Sequence, residues 1–235
     1  MPYRKVTYSE EHSRVSIYNV GCNFACRGCS YRLLQPESGP PLAVEDIEAA
    51  LMRYQPRLVT FLGGEPTTNP DLPRLLAFAK NEIGAETWLG HTNGSHLPMD
   101  NLDGANVSFK AFSPDTHLYY TGQPAPPVYD NFRAAFDAGL KLKASTVLIP
   151  GLVDVDEVEA IASFIAGLSR AIPFHVAAYV PVPGAPWQGP SPEHLAQAVA
   201  AARRHLQSVT SSCLTPDELK AWQQRSPRWA SVRVL

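Results

Sequence analysis

The sequence has few cysteines and no long apolar run, and each shortage excludes a class of protein. Only four cysteines occur in 235 residues, and the three that lie close together cannot all pair with one another, so a disulfide framework is excluded. No apolar run reaches the roughly 18–20 residues that a membrane span needs. The first residues, MPYRKVTYSEEHSRVS, are polar and charged, unlike a secretory signal peptide. We therefore expect a cytoplasmic protein without a membrane partner, in which clustered thiols bind metal.

An excess of charge of either sign is also missing. The formal net charge is −2, and a protein with no basic excess has no electrostatic footprint for nucleic acid. We expect no nucleic-acid partner. With 45% hydrophobic residues, the chain can bury a full core as one domain.

What the sequence does contain is an alternation of strand-like and helix-like segments. Strands are predicted at 14–20, 57–62, 86–92, 106–113, 142–149 and 173–182, and helices at 43–54, 71–84, 128–140, 155–170 and 191–209. Such repeats favour a parallel sheet with right-handed crossovers. Six units are too few for a closed eight-stranded barrel, and periodicity alone does not choose between an open partial barrel and a doubly wound sheet.

The unusual motifs follow the carboxyl ends of these predicted strands. A cysteine-rich loop follows the first strand, GGEP the second and HTNG the third; KAFS ends the fourth, and His175 lies in the sixth. In parallel βα architectures the carboxyl ends of the strands form one face, on which sites are built. We therefore expect these motifs to contribute to one site.

The cysteine loop holds Cys22, Cys26 and Cys29 in the pattern C-x3-C-x2-C. Three thiolates at this spacing can surround one metal centre. A structural zinc site would need a fourth ligand from elsewhere in the fold, whereas a [4Fe–4S] cluster held by three cysteines leaves one iron without a protein ligand. These residues alone leave both sites open. Cys213 is expected to be a buried or idle thiol, with a functional thiol reached from the C-terminal segment as the alternative.

The loop resembles the signature of the radical S-adenosylmethionine (SAM) superfamily, and a second motif strengthens the resemblance. Gly63-Gly64-Glu65-Pro66 follows the second predicted strand, where two glycines let a ligand approach the backbone closely, and it resembles the superfamily segment that holds the methionine amino group of SAM. The resemblance implies a [4Fe–4S] cluster and SAM as cofactors. It also implies an α/β fold with a partial (β/α)6 TIM-like barrel, in a single domain of residues 1–235 with its core at about 15–205 and a flanking segment at about 210–235.

Three further segments make the chain most similar to activases of glycyl-radical enzymes. They are HTNG at 91–94, SFKAFS at 108–113 and IPFHVAAY at 172–179. The resemblance implies that Lys110 pairs with the SAM carboxylate and that His175 contacts its ribose. It also implies that Thr92 lies beside the methionine moiety, with Asn93 next to it in the SAM site.

Three residues depart from the family pattern. His91 and Ser108 stand where activases carry aspartates, one of which helps to hold a monovalent cation, so the resemblance does not extend to a cation site. Gly28 replaces the aromatic residue that commonly precedes the third cysteine and helps to cover the adenine of SAM. Phe24 and Tyr31 are the nearby aromatic residues expected to take over this contact.

The resemblance implies an enzyme that takes an electron from flavodoxin or ferredoxin and cleaves SAM to a 5′-deoxyadenosyl radical, which abstracts hydrogen from a substrate. The leading hypothesis is an activase-like enzyme that acts on a peptide or protein. The alternatives are a radical SAM enzyme that acts on a small molecule or nucleoside, and a non-catalytic iron–sulfur or zinc-binding module. Two proline-rich segments, 121–129 and 181–192, are predicted to be lids over the site.

Overall fold

The computed structural model describes residues 2–33, 40–97, 99–224 and 231–235, which form one mostly parallel sheet of nine strands with helices. The strands are β1 (Tyr3–Ser9), β2 (Arg14–Asn19), β3 (Leu58–Gly63), β4 (Glu86–Thr92), β5 (Gly104–Ser108), β6 (Lys141–Leu148), β7 (Phe174–Ala178), β8 (Val209–Ser212) and β9 (Val232–Arg233). The α-helices are α1 (Val44–Tyr54), α2 (Leu72–Phe78), α3 (Pro114–Thr121), α4 (Pro126–Asp137), α5 (Val155–Leu168), α6 (Pro192–Arg203) and α7 (Pro216–Gln224).

The order of the strands decides between the two folds that the sequence left open. The order is β8-β7-β6-β5-β4-β3-β2-β1-β9, and every pair from β2 to β8 is parallel. A doubly wound sheet would reverse this order at a switch point. Here the order follows the chain, so right-handed crossovers place the connecting helices on one face. The predicted α/β class and the partial TIM-like arrangement are confirmed.

The hydrophobic core lies between the sheet and the helices. Side chains alternate between the two faces of a strand, and those that face the helices, such as Val59 and Phe61 of β3 and Val176 of β7, are fully buried in one cluster. Burying a large apolar side chain contributes roughly 1.5–3 kcal/mol. The opposite face carries polar residues such as Asn106 and His175, which leaves it free for a site.

The sheet is larger than the sequence predicted. The six predicted strands are present as β2 to β7, but β1 turns back and pairs antiparallel with β2, and β9 pairs antiparallel with β1. β8 extends the parallel part beyond β7. The segment 210–235 therefore contributes strands to both edges of the sheet, and its separation from a core at 15–205 stays a prediction.

Two predicted segments have different structures. The strand predicted at 106–113 ends at Ser108, because the chain turns away there towards α3, whose first residue is Pro114. The lid predicted at 121–129 is partly helical, since α3 ends at Thr121 and α4 begins at Pro126, and residues 122–125 connect the two helices. Within the four described ranges, no helix combines the length and the apolar character needed to cross a membrane.

The Asp154 side chain connects helix α5 to helix α6. Its carboxylate caps α5 by accepting hydrogen bonds from the backbone N–H groups of Val155 and Gly151, both at 2.8 Å, and it lies 2.6 Å from Nε2 of His194 in α6. Burial acts to raise the pKa of Asp154, but these three hydrogen bonds outweigh it and hold the pKa below its usual value. The ionised carboxylate therefore ties α5 to α6.

Candidate active site

The GGEP segment lies directly against the start of the cysteine loop. The backbone N–H of Gly64 donates to the Asn19 carbonyl at 3.0 Å, and that of Glu65 donates to the Gly21 carbonyl at 2.8 Å. A Cβ on Gly63 would stand 2.0 Å from the Asn19 carbonyl oxygen, and one on Gly64 would stand 1.8 Å from that of Gly21. Both glycines are therefore needed for the packing of two protein backbones, a role separate from the ligand approach that the sequence suggested.

The Glu65 carboxylate is fully buried and already holds several protein groups. Its Oε1 accepts hydrogen bonds from the Thr67 N–H at 3.1 Å, the Thr67 hydroxyl at 2.7 Å and the Thr92 hydroxyl at 2.8 Å. Its Oε2 accepts one from the Asn93 N–H at 2.6 Å. A carboxylate has about four acceptor positions, and these four protein donors account for them. Glu65 thereby fixes the end of β4 against the turn after β3, which begins at Pro66.

The three loop thiols lie at the same end of the sheet as Glu65. Cys26 and Cys29 are half-buried, and Cys22 is open to solvent on one side. Burial raises the pKa of the Cys26 thiol to about 11 and raises that of Cys22 as well, while the positive charge of nearby Lys110 acts in the opposite direction on both. Cys213 is exposed and follows β8, so the expectation of a buried thiol is wrong.

The three thiols supply the ligand type that iron–sulfur clusters prefer. Soft thiolates bind iron–sulfur clusters as well as zinc, and all three lie in one loop. A cluster held by three thiolates keeps one iron without a protein ligand, so these residues fit a [4Fe–4S] cluster.

Lys110 and His175 lie on the sheet face that the helices leave uncovered. Lys110 donates from Nζ to the Ser108 hydroxyl at 2.8 Å. The serine, which stands where activases carry an aspartate, therefore orients the lysine through a neutral hydroxyl group. The two ring nitrogens of His175 lie 2.8 and 2.9 Å from hydroxyl groups of β8. Both side chains are therefore oriented by the protein before any ligand binds.

His91 brings no negative charge to this face. The residue is exposed, and its Nδ1 lies 3.3 Å from the side-chain amide nitrogen of Asn106. Desolvation by the surrounding protein lowers the pKa of His91 to about 4, and the positive charge of Lys110 acts in the same direction. The imidazole is therefore neutral at pH 7 and does not replace the charge of an aspartate.

Two tyrosines fill the space that an aromatic residue at position 28 would need. Gly28 is buried, and a Cβ on it would stand 3.0 Å from Cε2 of Tyr179 and 3.1 Å from the Tyr120 hydroxyl oxygen. The two residues that the sequence suggested lie elsewhere: Tyr31 is 51% exposed, and Phe24 packs on the main core. Sequence reasoning missed the tyrosines in this position because no local pattern links them to the loop.

The second predicted lid packs on these tyrosines. Residues 181–190 have no regular secondary structure, and the ring of Trp187 lies edge-on to Tyr120 and Tyr179, with centroid distances of 5.9 and 6.3 Å. A smaller apolar cluster therefore connects this segment to the cysteine loop, where Cys26 packs against it.

The comparison with protein families matches this arrangement. The family model of the Radical SAM superfamily matches residues 16–165, a span that contains the cysteine loop, the GGEP segment and Lys110. The chain belongs to the radical SAM superfamily. It is therefore an enzyme whose cofactors are a [4Fe–4S] cluster and SAM.

Relatives of the chain include enzymes that are named for different activities. A Methanocaldococcus jannaschii protein with the provisional name glycyl-radical enzyme activating enzyme is 31% identical over 181 residues, which cover 71% of this chain and 68% of the relative. A GTP 3′,8-cyclase from Psychromonas ingrahamii is 28% identical, over 62% of this chain and 47% of its own length. The crystal structure of Streptococcus suis SuiB bound to precursor peptide SuiA has a TM-score of 0.63 and 18% identity, covering 81% of this chain and 46% of that one.

Proposed function

We propose that Cys22, Cys26 and Cys29 hold the cluster, and that the GGEP segment, Lys110 and His175 hold SAM beside it. The observation that carries this proposal is the direct hydrogen bond from Glu65 to Gly21, which joins the GGEP segment to the cysteine loop. Lys110 is close enough to Cys22 and Cys26 for its charge to act on both thiols. The groups that recognise SAM therefore surround the groups that bind the cluster.

Each end of the SAM methionine has a complementary partner in this arrangement. Lys110 pairs with the carboxylate, because its Nζ is bonded to the neutral Ser108 hydroxyl and, in the described ranges, forms no ion pair. The ammonium group binds the segment Gly63–Pro66 beside the buried Glu65 carboxylate. Thr92 and Asn93 hold the Glu65 carboxylate in place by donating hydrogen bonds to it. His175 orients the ribose.

When bound, the cluster and SAM supply one-electron cleavage of the sulfonium to methionine and a 5′-deoxyadenosyl radical, which abstracts hydrogen from the substrate. The electron comes from a reduced flavodoxin or ferredoxin. The protein contributes orientation through Lys110 and His175. It also excludes water through the cluster of Tyr120, Tyr179 and Trp187 beside the loop.

We propose a peptide or protein as the substrate, as in activases. The support is the relative named as a glycyl-radical enzyme activating enzyme and the peptide bound to SuiB, which shares the fold. The open sheet edge at β8 also leaves the uncovered face accessible from the side. A loop of another macromolecule can enter there more readily than it can enter a closed barrel.

Deuterium transfer tests this proposal. The enzyme, purified without oxygen and reduced with dithionite, is incubated with SAM and a glycyl-radical protein whose glycines carry deuterium at Cα. We expect deuterium in 5′-deoxyadenosine and a glycyl radical by electron paramagnetic resonance. A wild-type protein that binds a cluster but forms no 5′-deoxyadenosine would contradict the proposed chemistry.

A second candidate substrate is a nucleotide. The similarity to GTP 3′,8-cyclase favours it, although this chain corresponds to only 47% of that relative. The same assay with deuterated GTP separates the two candidates. Deuterium transfer from the nucleotide alone would replace the protein substrate with the small molecule.

A further inference from the structure

We propose that the side-chain amide of Asn93 donates a hydrogen bond to the Cys22 thiolate and thereby sets the reduction potential of the cluster. This inference rests on the proposed ligation of the cluster by Cys22. Asn93 Nδ2 lies 3.8 Å from Cys22 Sγ, within the range of a hydrogen bond to sulfur, and 2.8 Å from Asn23 Oδ1. The backbone N–H of Phe24 donates to the same sulfur at 3.3 Å.

The neighbours of Asn93 determine which of its side-chain atoms faces the sulfur. The backbone N–H of Ser95, which can only donate, lies 2.9 Å from Asn93 Oδ1. The amide nitrogen must therefore point to Cys22 and Asn23. The Asn23 amide is fixed in the same direction, because its Nδ2 donates to the Ser95 hydroxyl at 3.0 Å. Asn93 is 5% exposed, so solvent does not compete for this donor.

Glu65 acts as the positioning residue for this contact. Its Oε2 accepts the backbone N–H of Asn93 at 2.6 Å, and its Oε1 accepts the hydroxyl of Thr92 at 2.8 Å. The first bond holds the backbone of Asn93, and the second holds the side chain of its neighbour Thr92, so neither depends on the Asn93 side chain. A substitution at Asn93 therefore removes the donor to sulfur while both bonds to Glu65 remain.

The direction of the effect follows from the charge on sulfur. Reduction adds an electron to the cluster and makes its thiolate ligands more negative, so an N–H group that points at a sulfur stabilises the reduced form more than the oxidised form. Hydrogen bonds to the sulfurs are among the factors that set cluster potentials. Loss of the Asn93 amide therefore shifts the potential of the one-electron couple to more negative values. The electron donor of the cluster must then be a stronger reductant.

The experiment is a redox titration of the anaerobically prepared holoenzyme, with mediators supplying the electron, for the wild type, Asn93→Leu and Asn93→Asp. Leucine has a similar volume and no donor. Aspartate keeps the acceptor for Ser95 and replaces the donor with oxygen. At a fixed potential we expect the ratio of reduced to oxidised cluster to fall about tenfold in Asn93→Leu, which corresponds to about 59 mV for one electron, and to fall further in Asn93→Asp.

The control is Ser95→Ala, which removes a hydroxyl from the network but leaves the Asn93 amide aimed at the sulfur. We expect its potential to equal that of the wild type. Equal potentials in Asn93→Leu and the wild type, at equal iron content, would overturn the inference. A wild-type protein without a cluster would instead overturn the proposed function, so the two failures are distinguishable.

Discussion

Removal of the Glu65 carboxylate tests whether its buried hydrogen bonds hold the candidate site together. The isosteric substitution Glu65→Gln keeps the shape of the side chain but places an N–H donor where one oxygen stood. Glu65→Ala removes the acceptors altogether. The structure predicts that both variants lose stability as well as SAM affinity, because Glu65 is fully buried and accepts four hydrogen bonds from protein donors.

The magnitude follows from these hydrogen bonds. A hydrogen bond to a charged group contributes about 1.5–3 kcal/mol, and a buried N–H left without an acceptor costs about 1–3 kcal/mol. In Glu65→Gln three donors on Oε1 can stay paired while the Asn93 N–H faces another donor, so we expect a loss of about 2–3 kcal/mol. In Glu65→Ala the N–H groups of Thr67 and Asn93 both lose their acceptor, and we expect about 3–5 kcal/mol.

Urea unfolding under reducing, anaerobic conditions measures these losses, with all variants at matched cluster content because a bound cofactor adds to apparent stability. Lys110→Met is the matched control. It removes a charge proposed to face SAM, but among the described residues the lysine makes a single hydrogen bond, to the Ser108 hydroxyl. If Glu65→Ala unfolds at the same urea concentration as Lys110→Met and the wild type, the hydrogen bonds of Glu65 do not contribute to the free energy of unfolding. That result would contradict the reasoning.

Three further predictions concern the thiols, the SAM carboxylate and the helix cap. Cys26→Ala should lose the cluster and SAM cleavage, whereas Cys213→Ala should keep about four irons per chain in an iron assay; the reverse result would reassign the ligands. Lys110→Met should weaken SAM binding about tenfold or more by calorimetry, with an unchanged cluster spectrum, since a charge-assisted hydrogen bond is worth about 1.5–3 kcal/mol; unchanged affinity would contradict the pairing. Asp154→Ala should cost about 1–2 kcal/mol at pH 7. Because the folded-state pKa of Asp154 is depressed, this stability should be lost as the pH falls below about 4, and a difference that persists at pH 2 in thermal unfolding would contradict it.

The parallel part of the fold could be predicted from the sequence because each strand there is an apolar run followed by an amphipathic helix. The strands at the edges lacked that signal. β8 has only four residues, Val209–Ser212, of which two are exposed, and its pairing with β7 depends on the tertiary fold. β1 belongs to a hairpin whose turn is closed by Ser13 at a φ of 44°, a conformation that serine rarely adopts.

The motifs of the candidate site could be recognised in the sequence, because the cysteine spacing and the GGEP segment are local patterns. Their connections could not. The contacts of Asn93 with Cys22 and of Glu65 with Asn93 join residues about seventy and thirty positions apart, and such contacts depend on the register of β3 and β4. The sequence marked Asn93 as a neighbour of SAM and gave no indication that its amide faces a thiol.

The packing of Gly28 against Tyr120 and Tyr179 constrains how such a chain can change during evolution. A larger residue at position 28 requires the tyrosine rings to shift, since its Cβ would stand 3.0 and 3.1 Å from them. We therefore expect the three positions to change together, although they are far apart along the chain. A pattern search that requires an aromatic residue before the third cysteine would reject this chain, even though its fold fills the same space with rings from other segments.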